Sequence, residues 1–253
     1  MCGICGCDGH EATLDTDRQA PLAAAPAVSE GKARIVQVER DIQEANAIQA
    51  ARNRAHFAAH RVVAINLVSS PGAGKTTLLC ETITRWTASP VAVVEGDQQT
   101  SLDADRIRAA GAPAVQVNTG KGCHLDAAMI DRAFNAIHEK VEAGLLFIEN
   151  VGNLVCPSGF DLGETYRVVI ASVTEGDDKP LKYPDIFASA HVMIVSKAEL
   201  AEPCGSHVPT LIRNARKVKP DIPALVLSSR TGEGMDAWVG WLNAAVAMRR
   251  ATV

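Results

Sequence analysis

A chain of 253 residues, 47% apolar and 21% charged, has the balance of a globular protein with room for one large domain or two small ones, which excludes disorder throughout. Its formal charge of −4, from 25 Lys plus Arg against 29 Asp plus Glu, offers no basic field suited to nucleic acid, so no nucleic-acid partner is expected. No stretch approaches the roughly 18 consecutive apolar residues of a membrane helix, and the start lacks the basic and apolar regions of a signal peptide, so a cytoplasmic protein without a membrane partner is expected.

In chain order, cysteine comes first. Three of the seven cysteines crowd into Cys2-Gly-Ile-Cys-Gly-Cys7, an odd total and a spacing that suit metal ligation better than a disulfide framework. Cys2, Cys5 and Cys7, with the terminal amine as a fourth donor, can wrap one ion, Ni²⁺ in a planar set or Zn²⁺ in a tetrahedral one. Residues 8–30 mix Asp, Thr, Pro and Ala without apolar period and read as a flexible linker. From Glu30 to His60 there is no Pro and no Gly beyond Gly31. Val36, Val38, Ile42, Ala45, Ile48 and Ala51 recur near helical spacing, which predicts an amphipathic helix leading the domain of residues 31–253.

Beyond Arg61, short aliphatic runs alternate with longer helical patterns. The runs cover 62–68, 91–95, 114–118, 145–149, 168–173, 192–196 and 224–227. Runs this apolar are strands buried on both faces. The predicted fold class is α/β, a mostly parallel sheet of about seven strands flanked by helices, with right-handed crossovers and functional loops at the carboxyl ends of the strands.

Ser69-Ser-Pro-Gly-Ala-Gly-Lys-Thr-Thr77 falls where the first strand ends and a helix begins. Small residues there (Pro71, Gly72, Ala73, Gly74) let backbone N–H groups close around phosphates. Lys75 reaches the β and γ oxygens, the Thr76 hydroxyl ligates Mg²⁺, and Thr77 continues the helix start. Ser69 replaces the usual first Gly. Two acids follow at strand ends, Asp97 and Glu149, each able to hold Mg²⁺ directly or through water, and Gly152 offers an N–H that senses a γ-phosphate. Ser196-Lys197-Ala-Glu199 stands where a GTPase carries Asn-Lys-x-Asp, with Glu199 retaining a carboxylate for guanine N1 and N2. Ser229 and Arg230 lie after the last strand, where a second guanine-contacting loop belongs. Cys123-His124 follows the third strand and Cys156 the Glu149 loop; in a doubly wound sheet both loops emerge on one edge, where three ligands can meet within a monomer or across a dimer axis. Cys80 and Cys204 lack a ligand pattern and read as structural.

Together with the cysteine cluster and the phosphate loop, Glu95-Gly-Asp-Gln-Gln-Thr100, Gly120-Lys-Gly-Cys-His-Leu-Asp126, Glu149-Asn-Val-Gly-Asn-Leu-Val-Cys-Pro157 and Thr174-Glu-Gly-Asp-Asp-Lys-Pro-Leu-Lys-Tyr-Pro184 resemble the hydrogenase nickel incorporation GTPases, the HypB type, over residues 60–248 and the first seven. The resemblance implies a P-loop NTPase that binds GTP and GDP with Mg²⁺ and forms or reshapes a homodimer around the nucleotide. It further implies delivery of Ni²⁺ to the large-subunit precursor of nickel-iron hydrogenase, with a small zinc-binding accessory protein as partner. By position, Cys2, Cys5 and Cys7 match the tight nickel site, and Cys123, His124 and Cys156 match a site that takes Zn²⁺ or Ni²⁺. Three other readings stay open at this point. They are a urease-type accessory GTPase, an ATP-dependent P-loop kinase, and a metal-binding module with a vestigial nucleotide site.

Overall fold

Alternating side chains that bury on two faces turn each aliphatic run into a strand. In the computed structural model, which describes residues 30–97, 102–120 and 122–251, the strands are β1 Val63–Ser69, β2 Val91–Asp97, β3 Ala114–Asn118, β4 Leu145–Glu149, β5 Tyr166–Ser172, β6 Val192–Ser196 and β7 Ala224–Val226. They form one sheet in the order β3-β2-β4-β1-β5-β6-β7, and every pairing is parallel. The expected seven-stranded parallel architecture is therefore present, with three strands matching the sequence ranges at both ends and the others displaced by one or two residues.

Eight α-helices accompany the sheet among the described residues: α1 Glu30–Ala59, α2 Lys75–Arg85, α3 Leu102–Ala109, α4 Ala127–Asn135, α5 Lys179–Lys182, α6 Pro184–Ser189, α7 Val208–Val218 and α8 Met235–Ala251. The period-2 alternation assigns the core to two sides. Ile65, Leu67, Phe147 and Ile170 pack with Leu79 of α2 and Trp238 of α8. On the opposite side, Ala64, Val94 and Ile148 meet Phe57 of α1 and Phe134 of α4, while Val169 and Val195 meet Phe187 of α6 and Leu211 of α7. Each large apolar side chain so buried contributes roughly 1.5 to 3 kcal/mol. Trp238 also donates its indole N–H to Thr82 Oγ1 at 2.9 Å, which fixes α8 against α2.

The chain divides into units of residues 1–45 and 46–253. Cys2, Cys5 and Cys7 lie outside the described residues. α1 has the predicted extent but not the predicted buried face. Val38, Ile42 and Ile48 of the apolar stripe are exposed, and the buried positions are Ala50, Asn53 and Phe57. Polar chemistry explains the difference. Asn53 donates to the carbonyls of Ala127 at 2.7 Å and Leu162 at 3.0 Å, so a carboxamide satisfies loop backbone where a stripe search expects an aliphatic group. Gly163, at φ +86°, sits directly under this helix, where a Cβ would come within 2.5 Å of the Ala50 carbonyl oxygen. None of the described helices is long and apolar enough to cross a membrane.

Candidate nucleotide and metal site

The loop between β1 and α2 needs two left-handed turns, and Gly72 at φ +72° and Gly74 at φ +97° supply them. Gly74 caps α2 without a side chain, which leaves the first N–H groups of the helix available to an anion. Lys75 is buried and donates to Ser69 Oγ at 2.9 Å, so the serine in place of the usual glycine gives the ammonium a resting partner. Burial holds the Lys75 pKa below its ordinary value, opposed by the nearby Glu149 carboxylate. From the far side of the loop, Ser196 Oγ donates to the Ala73 carbonyl and Lys197 Nζ to that of Gly72, both at 2.7 Å. The segment expected to read the base thus braces the phosphate loop.

Thr76 Oγ1 donates to Glu149 Oε1 at 2.7 Å. Glu149 faces Glu95 across the β2–β4 pairing. Each keeps a buried Oε2 with no hydrogen-bond partner among the described residues. Burial raises the Glu149 carboxyl to about 7 against the pull of Lys75 and Thr76. Burial first, and then repulsion from Glu149, raises Glu95 to about 8. Two orphaned carboxylate oxygens beside a threonine hydroxyl make a hard oxygen donor set that fits a divalent cation such as Mg²⁺.

These groups open onto a cleft of about 490 Å³, within the ordinary range for a small-molecule site. Pro71, Gly72, Gly74, Lys75, Thr76 and Thr77 line it, and so do Asp97, Glu149, Gly152 and Lys197. Ala73 faces the core instead. Glu199, Ser229 and Arg230 do not line this cleft. Glu199 lies in the 3-10 turn Ala198–Leu200 with its Oε2 buried and unpartnered among the described residues, while Ser229 is half-buried and Arg230 exposed after β7. Six lining residues were not singled out from the sequence as site residues: Glu95 and Gly96 of β2, Asp103 and Arg106 of α3, and Asn150 and Val151 after β4. Glu95 carried a signal, an acid at the end of the apolar run Val91-Ala-Val-Val94; Asp103 and Arg106 look like any helix-surface pair.

The predicted cluster of soft ligands does assemble. Cys123 Sγ lies 2.8 Å from Cys156 Sγ and 3.6 Å from His124 Nδ1, and one ligand atom from each residue falls within 4.8 Å of the others. Cys123 and His124 come from the loop between β3 and α4, and Cys156 opens the 3-10 turn Cys156–Gly159. The His124 ring packs on Phe160 with centroids 3.9 Å apart. Burial lowers the His124 pKa and so favours the neutral, metal-binding form. Two thiols and an imidazole are soft and borderline donors that would fit Zn²⁺ or Ni²⁺. Cys80 is partly buried and Cys204 exposed, and neither belongs to this cluster.

Residues 63–226 match the family model described as CobW/HypB/UreG, nucleotide-binding domain. The chain is 48% identical to the hydrogenase maturation factor HypB of Azotobacter chroococcum mcd 1, across 96% of this chain and 92% of that protein. Against HypB of Escherichia coli K12 the identity is 55%, across 83% and 72% of the two chains. The crystal structure of Helicobacter pylori HypB in complex with nickel superposes with a TM-score of 0.76 at 40% identity, covering 80% of this chain and 95% of that one. With its phosphate loop, paired strand-end acids and two-loop cysteine–histidine cluster, the chain belongs to the HypB hydrogenase maturation factors of the CobW/HypB/UreG family.

Proposed function

We propose that this protein binds GTP with Mg²⁺ in the β1–α2 cleft, hydrolyses it to GDP and phosphate, and uses that cycle to deliver nickel to the large-subunit precursor of nickel-iron hydrogenase. The observation that carries the reading is one stretch of chain, Glu149 to Cys156, which begins at the phosphate loop and ends at a thiol of the metal cluster. Lys75 neutralises the charge that develops on the transferring phosphoryl oxygens, and the backbone N–H groups of the loop hold them in place. Mg²⁺, when bound, would supply Lewis-acid stabilisation of the charge on the phosphate oxygens. Thr76, Asp97 and Glu149 are its candidate holders, Thr76 directly and the acids directly or through water. Glu199, although it does not line the cleft, is the candidate carboxylate for guanine N1 and N2, and the phosphate-loop brace from Lys197 keeps that turn in register.

Cys123, His124 and Cys156 hold Zn²⁺ or Ni²⁺ in the nucleotide-binding domain. Cys2, Cys5 and Cys7 form a separate tight nickel site on residues 1–7, joined through a linker of residues 8–30 to the domain of residues 31–253. A cytoplasmic homodimer, a small zinc-binding accessory protein and the hydrogenase precursor complete the assembly. Support for this reading comes from the family membership and from the fit of each donor set to its ion. Lys75→Ala is expected to nearly abolish GTP turnover, a loss of several kcal/mol of transition-state stabilisation, while leaving zinc uptake intact; turnover within twofold of the unmodified protein would sink the hydrolysis reading. Deletion of residues 1–7 should remove one tight nickel equivalent and spare hydrolysis, checked by metal analysis of both chains.

A further inference from the structure

His56 and His60 lie one turn apart on α1 and so share a face of that helix. His138 opens the 3-10 turn His138–Lys140 that follows α4. Three of the seven histidines thereby meet. Ring centroids are 5.1 Å apart for His56 and His60, 4.8 Å for His60 and His138, and 6.1 Å for His56 and His138. Phe134 supplies an aromatic wall, its ring nearly perpendicular to that of His56 at 4.8 Å and to that of His60 at 5.7 Å. Backbone ties the two segments together, since the Ala143 N–H donates to the His60 carbonyl at 2.9 Å. This corner lies at the amino ends of β1 and β4, where Val63 stands opposite Leu145, whereas the phosphate loop and the Cys123 loop leave the carboxyl ends of their strands. The seven residues of β1 put roughly 20 Å between the two ends.

Each imidazole has an oxygen beside one nitrogen. His60 Nδ1 lies 2.8 Å from Glu142 Oε2, His138 Nδ1 3.1 Å from the Asn135 carbonyl oxygen, and His56 Nδ1 3.9 Å from Asp131 Oδ1. An acceptor at Nδ1 keeps the proton there and leaves Nε2 as the lone-pair nitrogen, which is how metal-ligating histidines are held. Burial, and then the neighbouring His60, lower the His56 pKa and favour its neutral form. With a metal–nitrogen bond of about 2.0 to 2.1 Å, the centroid of a ligating ring stands roughly 3.2 Å from the ion, so two such rings are about 4.5 to 5.2 Å apart at ligand angles of roughly 90 to 109°. Two of the three observed separations meet that span, and the third exceeds it by about 1 Å. The rings stand open, for among the described residues only Cys123, His124 and Cys156 bring one ligand atom each within 4.8 Å of one another. The side chains of His56 and His60 are 29% and 28% exposed, and side chains with access to solvent change rotamer within nanoseconds.

We infer that His56, His60 and His138 form a further metal site, which closes by side-chain rotation around one Zn²⁺ or Ni²⁺ ion bound through Nε2 of each ring. Imidazole nitrogen suits such borderline ions and does not suit Mg²⁺ or Ca²⁺, which take oxygen. Glu142 and Asp131 are the positioning residues of this site: they hold the rings at Nδ1 and offset the charge of the ion. The site contains no sulfur and stands on α1 and the turn after α4, elements that supply nothing to the nucleotide cleft or to the cysteine–histidine cluster. It is therefore independent of the function proposed above, and either reading can fail without the other.

The test uses the untagged full chain with Cys2, Cys5, Cys7, Cys123 and Cys156 replaced by Ser, titrated calorimetrically with Zn²⁺ and, separately, with Ni²⁺. One equivalent should still bind. His60→Gln and His138→Gln should each weaken it by about tenfold or more, and Glu142→Gln by a similar factor through the lost Nδ1 partner. His124→Gln should leave it unchanged, as should the absence of nucleotide. Cobalt absorption of the chain with all its cysteines gives a second reading that needs no cysteine replacement. Once the thiolate-to-metal charge-transfer bands saturate, a further Co²⁺ equivalent should bind without adding to them, and His60→Gln should remove that equivalent alone. Absence of this thiolate-free equivalent, with no Zn²⁺ or Ni²⁺ retained at millimolar metal by the chain with five serines, would overturn the inference. Binding that is indifferent to both histidine variants would overturn it equally.

Discussion

Two buried acidic centres lie close together in the fold and are treated in opposite ways. Glu164 is 8% exposed, yet Arg167, Asn66 and the Leu162 N–H satisfy its oxygens. Glu95 and Glu149 are at least as deeply buried, and each retains an oxygen with no partner among the described residues. A fully compensated buried carboxylate holds loops together, whereas an uncompensated one stores an electrostatic penalty that a bound cation relieves. Burial of charge thus separates structural from functional acids only when hydrogen-bond satisfaction is counted as well.

The contrast can be broken by experiment. Arg167→Ala strips Glu164 of its cation and frees the Ser158 and Phe160 carbonyls, so unfolding stability should fall by about 3 to 5 kcal/mol in urea titration; a loss below about 1 kcal/mol would show that the pair is dispensable. Glu149→Gln should do the reverse, lowering GTP turnover by about 100-fold or more while stability stays level or rises. A parallel drop in both would put Glu149 among the structural acids.

Glu95→Gln sharpens the contrast through pH. Because its folded pKa is raised from 4.5 to about 8, the unfolded chain releases that proton first, and stability is lost as pH rises from about 4.5 to about 8. In Mg²⁺-free buffer the Gln variant should flatten that decline and gain about 1 kcal/mol or more at pH 8; an unchanged pH slope would contradict the assignment. The smallest effect belongs to the exposed pair of Arg54 and Asp161, at 2.8 Å. Arg54→Ala should cost less than about 1 kcal/mol, as measured by urea midpoint.

What the sequence disclosed tracks how local each feature is. The strands were legible to within two residues because burial on both faces leaves an unbroken aliphatic run, as in Leu145-Leu-Phe-Ile148. The phosphate loop was legible because its residues are contiguous and its glycines obey backbone geometry. α1 was legible in extent but not in orientation, since Asn53 is buried by hydrogen bonds to two loops rather than by hydrophobicity. Asn150 lay within the Glu149–Pro157 block, yet its place at the cleft went unread for the same reason, because a carboxamide announces nothing about its partner until the chain is folded. The cysteine–histidine cluster fell between these cases. Its residue types were conspicuous, and the sheet topology brought Cys123 and Cys156 together from 33 positions apart.

The strand order also governs how the molecule comes into being during synthesis. β1, which launches the phosphate loop, bonds on one side to β4 and on the other to β5, with Val63 opposite Leu145 and Ser69 opposite Ile170. A growing chain must therefore extend about a hundred residues past Ser69 before the centre of the sheet can close, and such non-local parallel pairings form slowly. Until then Cys123, His124 and, once made, Cys156 are carried on an unfinished scaffold, open to whatever soft metal or oxidant the nascent chain meets. Folding intermediates of this kind also expose apolar strands and are prone to aggregate.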